Sequence, residues 1–405
     1  MINHTWGTDA HLAWLDRYRE ELLDFYQPHV ADPQGGYFWL GGTGQPMPEK
    51  GKGLWLAARM THCFSLAHLL GREGAREIAA HGVRYLTTPP GRDTRYGGWF
   101  AAVNEEDRDE SKELYGLAHV VLAGSSALTA GIEGSQGLLT EALGLIDAHY
   151  WNEADGAALD AMDRTFTVAD PYRGLNANMH LTEAYLAAHE ATGDPVLLER
   201  AIRLAERFVE GQLRSGRPEP HRLVEHFDEQ WQPVPGYNRD EPAHPFRPYG
   251  STPGHWLEWS KLAVQIAGLR PDVKWLVPAA EQLFAGALAD AWAPNGGFYY
   301  TVDWDGSPVI SNRFFWPVTE AIGAAHVLRL ATGKQEYADW YTRFWDFAQA
   351  YLMDHDHGAW HSELDDDLLP TTRTWDGKPD LYHVLQATLY AKLPLEAGLA
   401  AHLAR

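Results

Sequence analysis

The 405-residue chain holds a single cysteine, Cys63, so no disulfide can form within it. Its fold must rest on core packing and hydrogen bonds, and an unpaired thiol fits a reducing compartment. No run of about 18 consecutive apolar residues occurs, which argues against a membrane-spanning helix. The first residues, Met1-Ile2-Asn3-His4-Thr5-Trp6, lack the basic flank and apolar centre of a secretion signal, so a cytoplasmic location is expected by elimination. Basic side chains are scarce, 33 against 55 acidic, for a net charge of −22. Such a field repels nucleic acid and anionic membrane surfaces, and neither is expected as a partner. No Pro/Gly/Ser-rich linker or charge run divides the sequence, so one domain over 1–405 is expected.

Aromatic residues are plentiful: 17 Trp, 18 Tyr and 14 Phe. They can fill a large helical core, and they can also wall a pocket for a sugar, whose C–H faces stack on rings. Apolar residues recur at spacings of three and four, as in Leu198, Ile202, Ala205 and Val209, or Val318, Ile322 and Ala325. Asp194-Pro195 and Thr252-Pro253 read as caps followed by proline at the first helical position. Helices are predicted over 8–27, 54–71, 73–88, 112–130, 135–150, 176–192, 194–213, 253–269, 272–291, 315–331, 334–352 and 379–395.

Twelve helices form six pairs. Within each pair lies a longer stretch, usually with glycine and aromatic residues: Gly35-Gly36-Tyr37-Phe38-Trp39, Tyr96-Gly97-Gly98-Trp99-Phe100, Asp155-Gly156-Ala157-Ala158, Gly296-Gly297-Phe298-Tyr299-Tyr300 and His357-Gly358-Ala359-Trp360. The fourth stretch, around Arg222 to Asp228, lacks the glycines. Glycine followed by alternating aromatics predicts short β-hairpins in these loops. Six helical hairpins bury their apolar faces fully by closing into a ring, an all-α (α/α)6 barrel with the second helix of each pair inside; an open solenoid is the competing layout.

In a closed ring the inner helices begin at one mouth. Their first turns carry Trp55 and Arg59, Tyr115 and His119, Asn176, Asn178 and His180, His255 and Glu258, Trp316 and Glu320, and Tyr382 and His383. Three histidines from different repeats, with two carboxylates and aromatic walls, suit a small neutral ligand. In Ser251-Thr252-Pro253-Gly254-His255-Trp256-Leu257-Glu258, Thr252 is expected to cap the helix. Glu258, one turn on, is expected to act on the imidazole of His255. Several neutral imidazoles around a sugar fit aldose–ketose interconversion. That reaction opens the ring, removes a proton beside the carbonyl to give a cis-enediol, and returns one to the neighbouring carbon. Arg59 or Arg247 could steady the enediolate oxygen. Three rivals stand beside this reading. A metal isomerase could use His255, Glu258, His180 and His383, although no compact ligand motif such as H-E-x-x-H occurs. A glycoside hydrolase could use Glu258 with Glu320, or Asp163 with Asp303. A non-enzymatic sugar-binding protein would need the aromatic walls alone.

Asn176-Ala177-Asn178-Met179-His180, Gly250-Ser251-Thr252-Pro253-Gly254-His255-Trp256-Leu257-Glu258, Trp304-Asp305-Gly306, Trp316-Pro317-Val318-Thr319-Glu320 and Trp375-Asp376-Gly377-Lys378 with Tyr382-His383 closely resemble the N-acylglucosamine 2-epimerase superfamily. The likeness runs from about Trp14 to about Leu393, and is strongest to the aldose–ketose isomerase branch, whose members act on D-mannose or on sulfoquinovose. It implies an (α/α)6 barrel and catalysis through a cis-enediol without metal or cofactor. By the same resemblance His383 is the base at the reacting carbons, and His255 assists ring opening and proton return. Glu258 and Glu320 orient and polarise these histidines. Arg59, Trp55, Tyr115, Asn176, His180 and Arg247 contact the sugar. The branch that holds a sulfonate uses an arginine and two glutamines, and the matching positions here are Arg59, Ser362 and Pro379. The missing glutamines favour an unmodified monosaccharide: D-mannose to D-fructose, with D-lyxose to D-xylulose as a poorer reaction. A 2-epimerase is the alternative.

Overall fold

A computed structural model describes residues 4–104 and 107–405. The predicted helices form: α1 Asp9–Tyr26, α2 Leu54–Leu69, α3 Ala75–Thr87, α4 Leu114–Thr129, α5 Ser135–Leu145, α6 Leu175–Thr192 and α7 Pro195–Ala205. A short α8, Gly211–Leu213, continues α7 and is followed by α9 Pro253–Leu269, α10 Leu276–Ala291, α11 Phe315–Thr332, α12 Gln335–Phe347 and α13 Leu381–Tyr390. Helices α5, α7 and α12 each run on into a π-helical turn: Ile146–Tyr150, Glu206–Glu210 and Ala348–Leu352. Among the described residues no helix is long and apolar enough to cross a membrane.

The ring is closed. Inner helices pack in the order α2, α4, α6, α9, α11, α13 and back to α2. Their burial extends all round, as in α9, where every residue from Pro253 to Val264 is buried. An outer helix buries one stripe only: α7 hides Leu197, Leu198, Ala201, Ile202, Leu204 and Ala205. The outer layer shows the phase of the packing. Helix α3 lies on α2, α5 on α4, α7 on α6, α10 on α9 and α12 on α11, while α1 reaches across to α13. Each tightly packed hairpin is therefore inner helix then outer helix, one step out of register with the pairs counted from the sequence, and the first helix closes the ring against the last.

The loops do form short antiparallel strands. Some pair within one loop, such as Trp39–Leu40 with Pro46–Met47. Others pair between neighbouring loops. Lys52–Gly53 pairs with Ala102–Val103, Lys112–Glu113 with Ala161–Met162, Arg173–Gly174 with His226–Phe227, and Arg313–Phe314 with Glu363–Leu364. A bridge between Ser251 and Val302 makes the fifth junction, and the Lys378 N–H donating to the Leu40 carbonyl makes the sixth. Each inner helix thus starts from a strand stapled to the next loop, which fixes the height at which its first turn enters the mouth.

Two sequence expectations need correction. The last inner helix ends at Tyr390, not 395, because Pro394 disfavours helical backbone at the residue before it. The chain then turns into α14, Leu399–Leu403, which packs beneath α2, α4 and α6 at the far end of the barrel. Asp194 caps α7 as expected, accepting from the Val196 N–H at 2.9 Å. Thr252 makes no side-chain cap on α9, and its Oγ1 is buried without a partner.

Candidate active site

The six first turns converge on a cavity lined by Trp39, Trp55, Arg59, Tyr115, Asn176, His180, Phe246, His255, Glu258, Tyr300, Trp316, Ser362, Trp375, Pro379, Asp380 and His383, among others. Of the residues expected there, His119, Asn178, Tyr382, Glu320 and Arg247 do not line it. Glu320 stands behind His383. Arg247 lies in the adjoining cleft with Tyr172, Tyr237 and Asp160, its guanidinium 3.9 Å above the Tyr172 ring.

His383 and His255 are built alike. Nδ1 of His383 lies 2.8 Å from Oε1 of Glu320, and Nδ1 of His255 lies 2.8 Å from Oε2 of Glu225. An ionised carboxylate only accepts, so each Nδ1 carries the proton and each Nε2 keeps a lone pair. Burial lowers the pKa of His383 below its ordinary value, and Glu320 opposes that shift in part. Trp316 neighbours both imidazoles, its ring centre 5.3 Å from His255 and 5.9 Å from His383. The room for it comes from Gly254, where a Cβ would sit 2.4 Å from the indole.

The partner of His255 is the correction that matters most. Glu258, expected to serve it, instead faces His180, with Oε1 3.7 Å from Nδ1. Glu225 approaches from the loop strand ahead of α9, and its second oxygen accepts the Thr252 N–H at 3.2 Å, where a Thr252 cap was expected to act. Burial, and then the charge of Glu320, push the Glu258 carboxyl well above the usual carboxylate range. Burial opposes ionisation of Glu320 too, but Lys261 and His383 outweigh it and keep that carboxyl below its ordinary pKa. Lys261 donates to Glu320 and, at 3.0 Å, to Tyr390.

Arg59 is held on every side. Its Nε donates to His119 Nε2 at 2.9 Å, one terminal nitrogen to Asp380 at 3.1 Å, and the other to the Tyr115 hydroxyl at 2.9 Å. The Tyr382 and Trp55 rings flank it at 4.4 and 5.0 Å. His119 must therefore carry its proton on Nδ1, which donates to the Tyr115 carbonyl at 2.8 Å. It braces Arg59 and has no nitrogen left for proton transfer. Asp380, unnoticed in the sequence, also caps α13 by accepting the Tyr382 N–H at 2.9 Å. Of the carboxylates weighed for a hydrolase, Asp163 sits in an exposed turn bonded to its own loop, and Asp303 accepts from Tyr249. Ser362 spends its hydroxyl on the Gly377 carbonyl at 2.8 Å.

Residues 35–387 match the N-acylglucosamine 2-epimerase (GlcNAc 2-epimerase) family. A D-mannose isomerase of Thermobifida fusca is 46% identical over 402 residues, covering 98% of this chain and 97% of its own. A D-mannose isomerase of Pseudomonas cannabina pv. alisalensis is 39% identical over 415 residues, covering 99% and 98%. A crystal structure of D-mannose isomerase superposes with a TM-score of 0.88 at 31% identity, covering 94% of this chain and 97% of the other.

Proposed function

The chain belongs to the N-acylglucosamine 2-epimerase family, and from that premise we propose that its cavity converts D-mannose to D-fructose, with D-lyxose to D-xylulose as a slower reaction. The observation that carries this reading is the pair of buried imidazoles beside Trp316, each with Nδ1–H held by its own carboxylate. His255 moves a proton between O1 and the ring oxygen to open the pyranose. His383 Nε2 removes the proton from C2 of the open aldose while the carbonyl oxygen O1 takes one up, giving a cis-enediol. A proton delivered to C1, with loss of the one on O2, completes the ketose, so atoms and electrons balance with no outside oxidant. Arg59, charged and fixed, faces the oxygens on which negative charge develops; donors of this kind are worth about 10² to 10³ in rate. Trp55, Tyr115, Asn176, His180 and Trp316 hold the sugar. Ser362 and Pro379 offer no free donor to a sulfonate, which supports an unmodified monosaccharide over sulfoquinovose. One catalytic domain carries the whole reaction, and the single thiol of Cys63 suits a cytoplasmic setting.

A second reading is 2-epimerisation to D-glucose, favoured by the same two imidazoles, because two bases in one cavity can take a proton from one face of a carbon and return one to the other. Incubation with D-mannose in D₂O, followed by NMR, separates them. Fructose deuterated at C1 is the expected product. Glucose deuterated at C2 would overturn the isomerase in favour of the epimerase, and no turnover would overturn both.

A further inference from the structure

Two buried atoms at the floor of the cavity have no hydrogen-bond partner: Nδ1 of His180 and Oε1 of Glu258. Their side chains are 5% and 1% exposed, and the atoms are 3.7 Å apart. Oε2 of Glu183, one turn along α6 from His180, lies 3.9 Å from the same nitrogen. All three donor atoms fall within 4.8 Å of one another. These gaps are too long for direct hydrogen bonds, and shorter than the roughly 4.6 Å that separates two partners of one tetrahedral water. Donors on a tetrahedral zinc ion, bonded at about 2.0–2.1 Å, sit about 3.4 Å apart. The two gaps at His180 Nδ1, 3.7 and 3.9 Å, need contractions of up to roughly half an ångström to reach that, and the gap between the two carboxylates, within 4.8 Å, up to about 1.4 Å.

The donor set points the same way. One imidazole nitrogen with two carboxylate oxygens suits a borderline divalent ion, whereas magnesium and calcium prefer oxygen alone. Glu183 is held in place on both oxygens: Oε2 accepts from the Tyr382 hydroxyl and Oε1 from Gln386 Nε2 at 3.4 Å, and an ion would share Oε2 with that hydroxyl. Three carboxyl groups, Glu183, Glu258 and Glu320, crowd this floor against the cations Lys261 and Arg59.

We propose that His180, Glu183 and Glu258 form a zinc site whose occupation blocks the cavity. His180 and Glu258 both line the sugar space, so the ion and the monosaccharide exclude each other. That exclusion rests on the function proposed above; the binding itself does not.

The test is calorimetric titration of ZnCl₂ into EDTA-treated, dialysed protein. One ion per chain at micromolar affinity is expected, with a loss of at least tenfold in Glu183→Gln. His357→Ala, in the exposed cluster at Asp354, should leave the isotherm unchanged. A wild-type crystal soaked in ZnCl₂ should give an anomalous peak between the three donors, whatever the fate of the variant. No one-site isotherm, loss of binding in His357→Ala with retention in Glu183→Gln, or a peak elsewhere would each overturn the proposal. In the same buffer zinc should raise KM for D-mannose and leave kcat unchanged. If D-mannose is not turned over, the isotherm and the peak still decide the site.

Discussion

The two histidine arms of the cavity perform the same task with supports of different origin. His383 and Glu320 both stand on inner helices, and Glu320 is braced in turn by Lys261 and Tyr390. His255 also stands on an inner helix, but Glu225 comes from a loop strand. Its carboxylate holds His255 and the Thr252 N–H, while its carbonyl takes the Leu175 N–H at 2.9 Å. One arm is thus a charged network inside the barrel wall. The other is a clasp that ties a loop to the starts of α6 and α9. A catalytic imidazole needs only a fixed tautomer and direction, and either support supplies them.

The largest effect should come from removing either imidazole. Loss of a positioned general acid or base costs about 10² to 10⁴ in rate. His383→Ala and His255→Ala are each expected to lower kcat/KM for D-mannose by about 10³, with a folded far-UV spectrum. A near-normal rate in either variant would show that its arm is structural only.

Stability should separate the arms next. Glu320→Gln strands the buried cation of Lys261, and breaking a buried ion pair by removing one partner costs about 3–5 kcal/mol. Glu225→Gln strands no cation, because among the described residues the side-chain contacts of Glu225 are His255 and a backbone N–H. Urea unfolding should therefore place Glu320→Gln well below Glu225→Gln. Equal midpoints would mean that Lys261 finds other compensation, and the contrast drawn here would fail.

The same contrast governs what could be read from the sequence. Helical periodicity exposed the ring, and matched first turns exposed most helix-borne members of the cavity, together with Glu320, which stands behind His383. Glu225 escaped because it lies in the fourth loop, the one stretch without the repeated glycines, thirty residues from its imidazole and outside any periodic frame. The missing glycines were the available signal. Asp380 escaped too, because an Asp ahead of a helix is in itself only a capping signal. Arg247 was placed at the sugar, although its loop carries it into the neighbouring cleft. The offset of the packed hairpins was equally hidden, since apolar periodicity gives a helix its buried face but not the neighbour that covers it. Loop strands pairing across units escaped for the same reason.

On turnover, the two glutamine variants should fall between wild type and the alanine variants, by about 10- to 100-fold, the usual cost of losing a partner that orients an imidazole. Glu225→Gln tests the residue missing from the sequence reading. An unchanged rate would leave Glu225 as a loop clasp and nothing more.

The smallest and sharpest difference should appear in the pH profile. His383 acts as a base only while its imidazole is neutral. Burial already sets its pKa below 6.5, so kcat/KM should hold through neutrality and decline on the acid side only below that value. Glu320 favours the imidazolium, and its removal must lower the pKa further. The Lys261 charge, no longer neutralised, pushes in the same direction. The acid limb of Glu320→Gln should accordingly move to lower pH. Glu225→Gln should leave the limb where wild type has it, because Glu225 supports the other ring. A limb that moved upward in Glu320→Gln, or that moved only in Glu225→Gln, would exchange the two roles and make His255 the base at carbon.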